Sequence, residues 1–447
     1  MSVPASVSFR DALRFWLKLG FISFGGPAGQ IAIMHRELVE QKRWISEKRF
    51  LHALNYCMVL PGPEAQQLAT YIGWLLHGTW GGIVAGGLFV LPSLAILIGL
   101  SWIYIAFGTV PVIAGILYGI KPAVTAIVLA AAWRIGGKTL KNVWLWAIAV
   151  GAFAAIFFSG IPFPAIILTA GVLGAIGGRF APEKFTVGGG HGNASTGATE
   201  AIIGDDVPTP AHAVFRLSRM LVFVAIGLGL WLIAMALLTA HSGIDGPLAQ
   251  MGWFFTKAAL LTFGGAYAVL PYVYQGAVEN FHWLTAQQMI DGLALGETTP
   301  GPLIMVVAFV GFVGGWTKAV LGPDMLFAGA ALAASVVTFF TFLPSFLFIL
   351  IGGPLVEATH GQLKFTAPLT AITAAVVGVI VNLAVFFAWH VWWPAATRET
   401  LFGGVFDWFS LLLTVAAAIA LMRYKANVIG VIAACGALGG AKMFLAA

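Results

Sequence analysis

The sequence predicts an all-α polytopic membrane protein with two inverted repeats of broken or re-entrant helices, joined by an extra transmembrane helix. Three observations predict this class. First, 60% of the 447 residues are hydrophobic and only 9% are charged, whereas soluble chains carry about 25% charged residues. Second, helix-breaking motifs interrupt the apolar runs. Third, the same breaks return at a constant offset in the second half of the chain.

The first repeat is assigned to residues 1–178. Short apolar runs flank two helix breaks, Phe24-Gly25-Gly26-Pro27 and Pro61-Gly62-Pro63, and these runs are too short to span a bilayer comfortably. The short runs are residues 9–24, 28–40, 47–60 and 63–77. Four longer spans follow, at about 80–107, 111–136, 142–159 and 162–178.

A polar, glycine-rich linker follows at residues 179–213. Its composition cannot bury a core, so we expect it to be flexible and cytoplasmic. Residues 214–241 are predicted to form a single transmembrane helix that links the two repeats and has no equivalent in either of them. The second repeat, residues 250–447, restarts the first pattern. Its elements lie near 250–263, 265–276, 285–299, 302–315, 326–351, 366–390, 405–421 and 426–446.

The repeat is visible as a direct alignment of residues 15–63 with residues 254–302. The two stretches share 12 identical residues in 49 positions, and both helix breaks are among them. Broken helices at matching positions of two halves are the best sequence indication of a transporter's binding site.

Charge gives the orientation of the two repeats. The connector 35–49 holds five Lys or Arg residues, whereas its counterpart 274–288 holds none. Because short basic loops stay in the cytoplasm, the two connectors are expected on opposite sides of the membrane. The net charge of +6 reflects this loop bias, and we expect no nucleic-acid partner.

The breaks predict a site for a small anion. Proline fits the first position of a helix, so Pro63 can begin a half-helix whose free N–H groups and positive dipole end point into the membrane. Such an end binds an anion without a buried cation. The alternative is a set of packing kinks, but four breaks in register favour the site. The residues predicted to line it are Gly25, Gly26, Gln30, Pro61, Gly62, Pro63, Glu64, Gln67, Tyr71, Gly264, Gly265, Pro300, Gly301 and Pro302.

Four charged residues belong to the same hypothesis. Lys18 and Lys257 match across the repeat, and we expect inward-facing ammonium groups that attract a dianion; anchors at the membrane interface are the alternative. Glu64 either caps the helix dipole or carries a proton. Glu297, three residues before Pro300, could supply a corresponding carboxylate.

Other classes of protein lack support. Cys57 and Cys435 are the only cysteines, which excludes a disulfide scaffold and a four-thiolate metal site. No metal-binding histidine spacing, nucleotide fingerprint or nucleophile elbow is present. We therefore expect no metal, no cofactor and no enzyme; an intramembrane enzyme that uses Glu64, His52 or His77 is the weaker alternative.

Long motifs around both breaks of the first repeat resemble the chromate ion transporter family, in its long two-domain form. The motifs are Phe24-Gly25-Gly26-Pro27-Ala28-Gly29-Gln30-Ile31-Ala32 and Leu60-Pro61-Gly62-Pro63-Glu64-Ala65-Gln66-Gln67-Leu68-Ala69-Thr70-Tyr71-Ile72-Gly73. The resemblance implies a multi-pass protein of the bacterial inner membrane that exports chromate, with sulfate as a related oxyanion. A sulfate importer or an anion channel of the same fold is the alternative.

The resemblance leaves the coupling and the assembly open. We consider a proton as the coupling ion and a homodimer as the assembly. The second half departs from the first, since Leu303 stands where the first half has Glu64. We therefore expect the first half to hold the more demanding contacts with the anion.

Overall fold

The computed structural model describes residues 7–24, 26–185, 201–204, 210–263, 265–359, 366–395, 400 and 403–446. Helices account for nearly all of this part of the chain. Its one β-type contact is an isolated bridge between Ile45 and Ile203.

The seventeen α-helices are numbered in chain order. They are α1 Phe9–Ile22, α2 Gly26–His35, α3 Glu47–Val59, α4 Glu64–Phe107, α5 Pro111–Thr139, α6 Val143–Ser159, α7 Phe163–Phe180, α8 Pro182–Phe185, α9 Leu217–Ser242, α10 Pro247–Leu260, α11 Ala266–Tyr274, α12 Ala286–Thr298, α13 Val306–Thr317, α14 Leu326–Thr359, α15 Thr366–Trp392, α16 Trp408–Met422 and α17 Val428–Ala446.

Seven segments of the described residues are long and apolar enough to cross a membrane. They correspond to α4, α5, α7, α9, α14, α15 and α17. Three shorter apolar helices, α6, α13 and α16, accompany them. The chain is therefore an all-helical, multi-pass membrane protein, which confirms the predicted all-α polytopic class; the inverted arrangement of the repeats stays a prediction.

The local structure repeats at the offset found in the sequence. The helices α1, α2 and α3 correspond to α10, α11 and α12. A π-helical turn follows α2 at Arg36–Gln41, and another follows α11 at Gln275–Asn280. Even the left-handed backbone recurs, at Arg43 and His282. The opposite orientation of the two halves remains a prediction from their charges.

Equivalent caps begin the helices that lead into the Pro-Gly-Pro breaks. The Ser46 hydroxyl accepts a hydrogen bond from the Arg49 amide at the start of α3. At the matching position, the Thr285 hydroxyl accepts a hydrogen bond from the backbone amide of Gln288 at the start of α12. The side-chain oxygen of Gln288 in turn accepts a hydrogen bond from the backbone amide of Thr285. A side chain of this kind satisfies an amide that the helix leaves without a partner.

The helix α4 turns back on itself at a bend after its first arm. His77 and Gly78 leave helical geometry, and Gly78 has a φ of 65°. The two arms then pack closely, because Gly73 lies against Gly81 and Gly86 lies against Thr70. The return arm therefore runs back along the first arm, towards the level of the break that precedes Glu64.

The helix α9, which has no repeat counterpart, is bound loosely. Gly227 is its one buried residue, and its Cα position faces the Leu347 side chain of α14. Most of its large apolar side chains are exposed, as expected for a helix that faces lipid.

Part of the predicted flexible linker is held against the first repeat. The backbone of Ile203 pairs with Trp44 and Ser46 of the basic connector. Further on, His212 Nε2 lies 2.8 Å from the carbonyl oxygen of Trp74 in α4. These hydrogen bonds attach Ile203 and His212 of the linker to the first repeat.

Candidate functional site

The two Pro-Gly-Pro breaks adopt the same backbone conformation. Gly62 has a φ of 124° and Gly301 a φ of 103°. Only glycine adopts such angles without strain. The helix α4 begins at Glu64, directly after the first break, whereas the second break leads into a short 3₁₀ turn, Leu303–Met305, and then α13.

Each break is hydrogen-bonded to the other repeat. The amide of Gly62 donates to the carbonyl of Thr262, with an N–O distance of 2.7 Å. The amide of Gly301 donates to the carbonyl of Ser23 at 2.8 Å. Ser23 and Thr262 are equivalent residues at the ends of α1 and α10, so the two bonds are reciprocal.

A serine of the opposite repeat lies against each break glycine. An added Cβ at Gly62 would lie 2.5 Å from Ser345 Oγ, and one at Gly301 would lie 2.8 Å from Ser93 Cβ. Both serines are buried, and neither hydroxyl has a hydrogen-bond partner among the residues that the structure describes. Buried hydroxyl groups normally make at least one hydrogen bond, so both serines have the capacity to donate to a ligand or a water molecule at these positions.

Neither serine is among the residues that the sequence predicts to contact the anion. A signal was present, because Leu91-Pro92-Ser93 and Leu343-Pro344-Ser345 repeat in the two halves. A three-residue match is too short to identify a site by itself. The structure adds the burial and the contact with the break glycines.

Buried glutamines complete the two clusters. Gln67 donates to the carbonyl of Pro61 at 2.8 Å, and Gln30 donates to the carbonyl of Gly301 at 2.5 Å. Because a carbonyl can only accept, these bonds fix the orientation of both amide groups. Their oxygens, and the side-chain oxygen of Gln66, are buried without a donor.

We name these clusters by their glycines. The Gly62 junction comprises Gly62, Thr262, Gln67 and Ser345. The Gly301 junction comprises Gly301, Ser23, Gln30 and Ser93. Each junction combines residues of both repeats and presents hydroxyl groups and amide oxygens that could contact a ligand.

The predicted Gly-Gly positions are only partly described, since Gly25 and Gly264 lie outside the described residues. Gly26 and Gly265 have φ values of 70° and 92°, and an added Cβ at either would meet no atom within 4 Å. Open space therefore adjoins the starts of α2 and α11. The four break prolines, Pro61, Pro63, Pro300 and Pro302, flank the junction glycines in the chain.

The two predicted proton carriers have different surroundings. Glu64 is the first residue of α4 and is partly buried. Glu297 is buried in the last turn of α12, where it accepts a hydrogen bond from the Tyr267 hydroxyl. The side chain of Glu297 is therefore less accessible to solvent than the side chain of Glu64.

Tyr71 contributes to an ionic cluster rather than to a junction. Its hydroxyl donates to Glu357 Oε1 at 2.6 Å, and Glu357 Oε2 lies 3.9 Å from Arg49 Nη1. Nearby, His52 Nε2 lies 3.4 Å from the carbonyl oxygen of Val356. This first cluster ties α3 and α4 of the first repeat to α14 of the second.

A second ionic cluster also joins the two repeats, but here the acidic residue belongs to the region next to the second repeat's connector. Tyr104 of α4 donates to Asp291 Oδ2 at 2.9 Å, and Lys121 Nζ of α5 lies 3.5 Å from Asp291 Oδ1. Lys121 also donates to Gln287 at 3.1 Å. Asp291 and Gln287 belong to α12, so a second-repeat helix here meets first-repeat helices.

The two predicted ammonium groups are on exposed side chains, whereas the residues of both junctions are buried. Lys18 is exposed on α1, and its Nζ lies 4.0 Å from Glu37 Oε1. Lys257 is exposed on α10, where its Nζ lies 5.8 Å from the centre of the Trp253 ring. This placement favours the alternative of anchors at the membrane interface.

Comparison with known proteins gives a consistent result. The family model described as "Chromate transporter" matches residues 10–175 and 249–440. The chromate transport protein of Pseudomonas aeruginosa is 34% identical over 85% of this chain and 81% of its own. The chromate transport protein of Cupriavidus metallidurans is 30% identical over 85% of this chain and 83% of its own. The probable chromate transport protein of Synechococcus elongatus is 30% identical over 86% of both chains. No solved structure gave a significant match.

Proposed function

The chain belongs to the chromate transporter family, and we propose that it is a secondary active transporter that exports chromate across the bacterial inner membrane. The observation that carries the proposal is the pair of reciprocal junctions. They join the repeats at the breaks where transporters of this design bind substrate, and they hold buried hydroxyls without partners.

The junctions suit an oxyanion because of the groups they present. Ser93 and Ser345 each carry a free O–H that can donate to an anionic oxygen, and such charge-assisted bonds are stronger than neutral ones. The helix α4 begins directly after Pro63, and its free N–H groups add positive potential at the first break. Small tetrahedral oxyanions such as chromate and sulfate match this combination.

Proton coupling accounts for the remaining polar atoms. The amide oxygens of Gln30, Gln66 and Gln67 can accept hydrogen bonds but cannot donate to an anion. A protonated oxyanion or an accompanying water supplies the donor that they lack. Glu297, bonded to Tyr267, is then the carboxyl group that receives the proton during the cycle.

The two ionic clusters are suited to act as gates. The Glu357 cluster includes Arg49 of the basic connector, so it lies near the cytoplasmic side under the charge-based orientation. The Asp291 cluster lies near the counterpart connector and therefore the opposite side. Opening one cluster while the other stays closed gives alternating access by rocking of the repeats.

Transport assays test the proposal directly. Everted vesicles that contain the protein should accumulate chromate when a proton gradient is imposed, and sulfate should compete. Ser93→Ala and Ser345→Ala should each raise KM for chromate about tenfold, because a hydrogen bond to a charged group is lost. Ser335→Ala is the matched control, since its hydroxyl is exposed and bonds its own helix at Ala331.

Two results would contradict the proposal. If the folded protein moves neither chromate nor sulfate, the transport function is wrong. If both serine variants keep the wild-type KM, the anion binds elsewhere.

A further inference from the structure

A basic pocket of about 500 Å³ lies between α1, the basic connector of residues 35–49 and Ile202 of the linker. Three cations line it, Arg14 and Lys18 from α1 and Lys42 from the connector. Among the described residues, its lining includes one acidic residue, Asp11, which accepts a hydrogen bond from the Ser8 hydroxyl at 2.6 Å. Outside the lining, Glu37 Oε1 lies 4.0 Å from Lys18 Nζ, which leaves the cations in excess. The pocket therefore carries a positive potential.

The pocket is larger than a small oxyanion requires. A water molecule occupies about 30 Å³ of liquid, and a tetrahedral oxyanion is only a few times larger. Pockets of 300–1,000 Å³ hold ligands of the size of a small organic molecule. A glycerol phosphate group, as found in phospholipids, fits this range.

The lining also offers more than charge. Phe15 and Trp44 form one wall, and Lys42 Nζ lies 5.8 Å and 5.5 Å from the centres of their rings. Ile202 of the linker also lines the pocket. These groups provide apolar contacts for the glycerol part of a headgroup.

A separate feature of α1 points to a lipid. Four large apolar side chains recur at every fourth residue and are exposed: Phe9, Leu13, Leu17 and Phe21. The basic residues Arg10, Arg14 and Lys18 recur with the same spacing, one position further along the helix. An amphipathic helix with an apolar stripe beside a basic one lies at the membrane surface, where it attracts anionic lipids.

We propose that this pocket binds the phosphate headgroup of an anionic phospholipid of the cytoplasmic leaflet, whose acyl chains lie along the apolar stripe of α1. The bound headgroup links three segments that are distant in sequence: α1 through Lys18, the connector through Lys42 and the linker through Ile202. The site is separate from both junctions, so it stands or fails independently of the transport function.

Thermal stability of the full-length protein in lipid measures this binding. The purified protein is placed in nanodiscs of phosphatidylcholine alone, or of phosphatidylcholine with increasing phosphatidylglycerol. The anionic lipid should raise Tm with a saturable dependence on its fraction. Arg14→Gln and Lys18→Gln should each weaken the apparent affinity about fivefold, since each removes one cation from the surface site.

The repeat supplies a matched control in Lys257→Gln. Lys257 is the counterpart of Lys18 and is likewise exposed, yet it does not line the pocket. It should leave the lipid dependence unchanged. Lys42→Gln tests the connector side of the pocket and should weaken binding as the α1 variants do.

Other outcomes overturn the proposal. If phosphatidylglycerol does not change Tm, or if Lys257→Gln reduces its effect as strongly as Lys18→Gln, no specific lipid site exists. If free glycerol phosphate stabilises the protein equally in phosphatidylcholine nanodiscs, the pocket binds a soluble phosphate and not a lipid.

Discussion

The backbone amide of Gly62 donates a hydrogen bond to the backbone carbonyl of Thr262, 200 positions further along the chain, at 2.7 Å. The bond joins the second break of one repeat to the first break of the other. The equivalent hydrogen bond runs from the Gly301 amide to the Ser23 carbonyl and joins the second break of the second repeat to the first break of the first repeat. Movement of one repeat against the other must therefore stretch or break bonds at both breaks.

Gly62→Ala and Gly301→Ala should each reduce chromate transport at least about tenfold. The left-handed backbone alone costs a non-glycine residue about 1–2 kcal/mol. The added methyl group would also displace Ser345 or Ser93, which lie within 2.5 Å and 2.8 Å of its position. Initial rates of uptake into everted vesicles, normalised to the amount of folded protein, measure the effect.

The control for these variants is Gly87→Ala in α4. A Cβ at Gly87 meets no atom within 4 Å, and its helical backbone accepts alanine. Wild-type transport is expected. Equal activity of all three variants would show that the breaks serve packing alone.

Weakening a gate should expose the site from one side. Glu357→Gln removes the charge in the first cluster, and Asp291→Asn does the same in the second. Loss of one such interaction, worth about 1 kcal/mol, should raise the labelling rate of a thiol at Ser93→Cys about fivefold. Glu357→Gln should increase the rate of labelling by a reagent added on the cytoplasmic side. Asp291→Asn should increase the rate of labelling by a reagent added on the opposite side.

The labelling experiment uses a chain in which Cys57 and Cys435 are replaced by alanine. Glu183→Gln, an exposed substitution in α8, is the control and should not change either rate. If Glu357→Gln and Asp291→Asn increased labelling from the same side, the two clusters could not be opposing gates.

Glu297→Gln should separate proton coupling from substrate binding. An amide keeps the shape of the side chain and a partner for the Tyr267 hydroxyl, but it cannot carry the proton. We expect accumulation driven by a proton gradient to fall at least about tenfold, while exchange of chromate across the membrane continues. Measurement of both modes in the same proteoliposomes checks this.

Glu64→Gln is the comparison for the other carboxyl group. If Glu64 only stabilises the start of α4, its loss costs about 0.3–1 kcal/mol of stability and leaves coupling intact. A loss of coupling in Glu64→Gln, with normal coupling in Glu297→Gln, would reverse the assignment of the proton carrier.

Acid should loosen the linker from α4 through His212. Burial lowers the pKa of His212, and nearby Arg219 acts in the same direction. A histidine whose pKa is lowered by folding contributes stability above its unfolded value of about 6.5 and loses it as pH falls through the lower, folded value. Proteolysis near residues 201–213 should therefore accelerate on acidification below about pH 6.5.

His212→Gln keeps a hydrogen-bond donor for the Trp74 carbonyl without a titrating group, so its proteolysis should depend less on pH. His241→Gln, at an exposed histidine near the end of α9, should behave as the wild type. An identical pH profile for all three proteins would exclude His212 as the responsive group.

Much of the helical arrangement follows from local patterns. The runs predicted at residues 47–60 and 214–241 appear as Glu47–Val59 and Leu217–Ser242. The interruption expected between residues 77 and 80 appears as the bend at His77 and Gly78. Apolar runs, caps and breakers act over a few residues, so their effect is visible in the sequence.

The contacts of the site depend on residues far apart in the chain. The glycines of the breaks were identifiable, because the left-handed backbone requires them. Their partners were not, since nothing in the local sequence of Ser93 or Ser345 reveals which glycine each would face. Likewise, the pairing of Tyr71 with Glu357 joins residues of different repeats.

The reciprocal bonds at the two junctions also bear on how such a chain can evolve. Because backbone atoms form these hydrogen bonds, the side chains around the breaks can diverge after a gene duplication while the bonds between the two halves are kept. Leu303 opposite Glu64 illustrates such divergence. The same bonds make the halves interdependent, because each completes a break in the other. A descendant that lost one half would have to recruit a second chain to replace it.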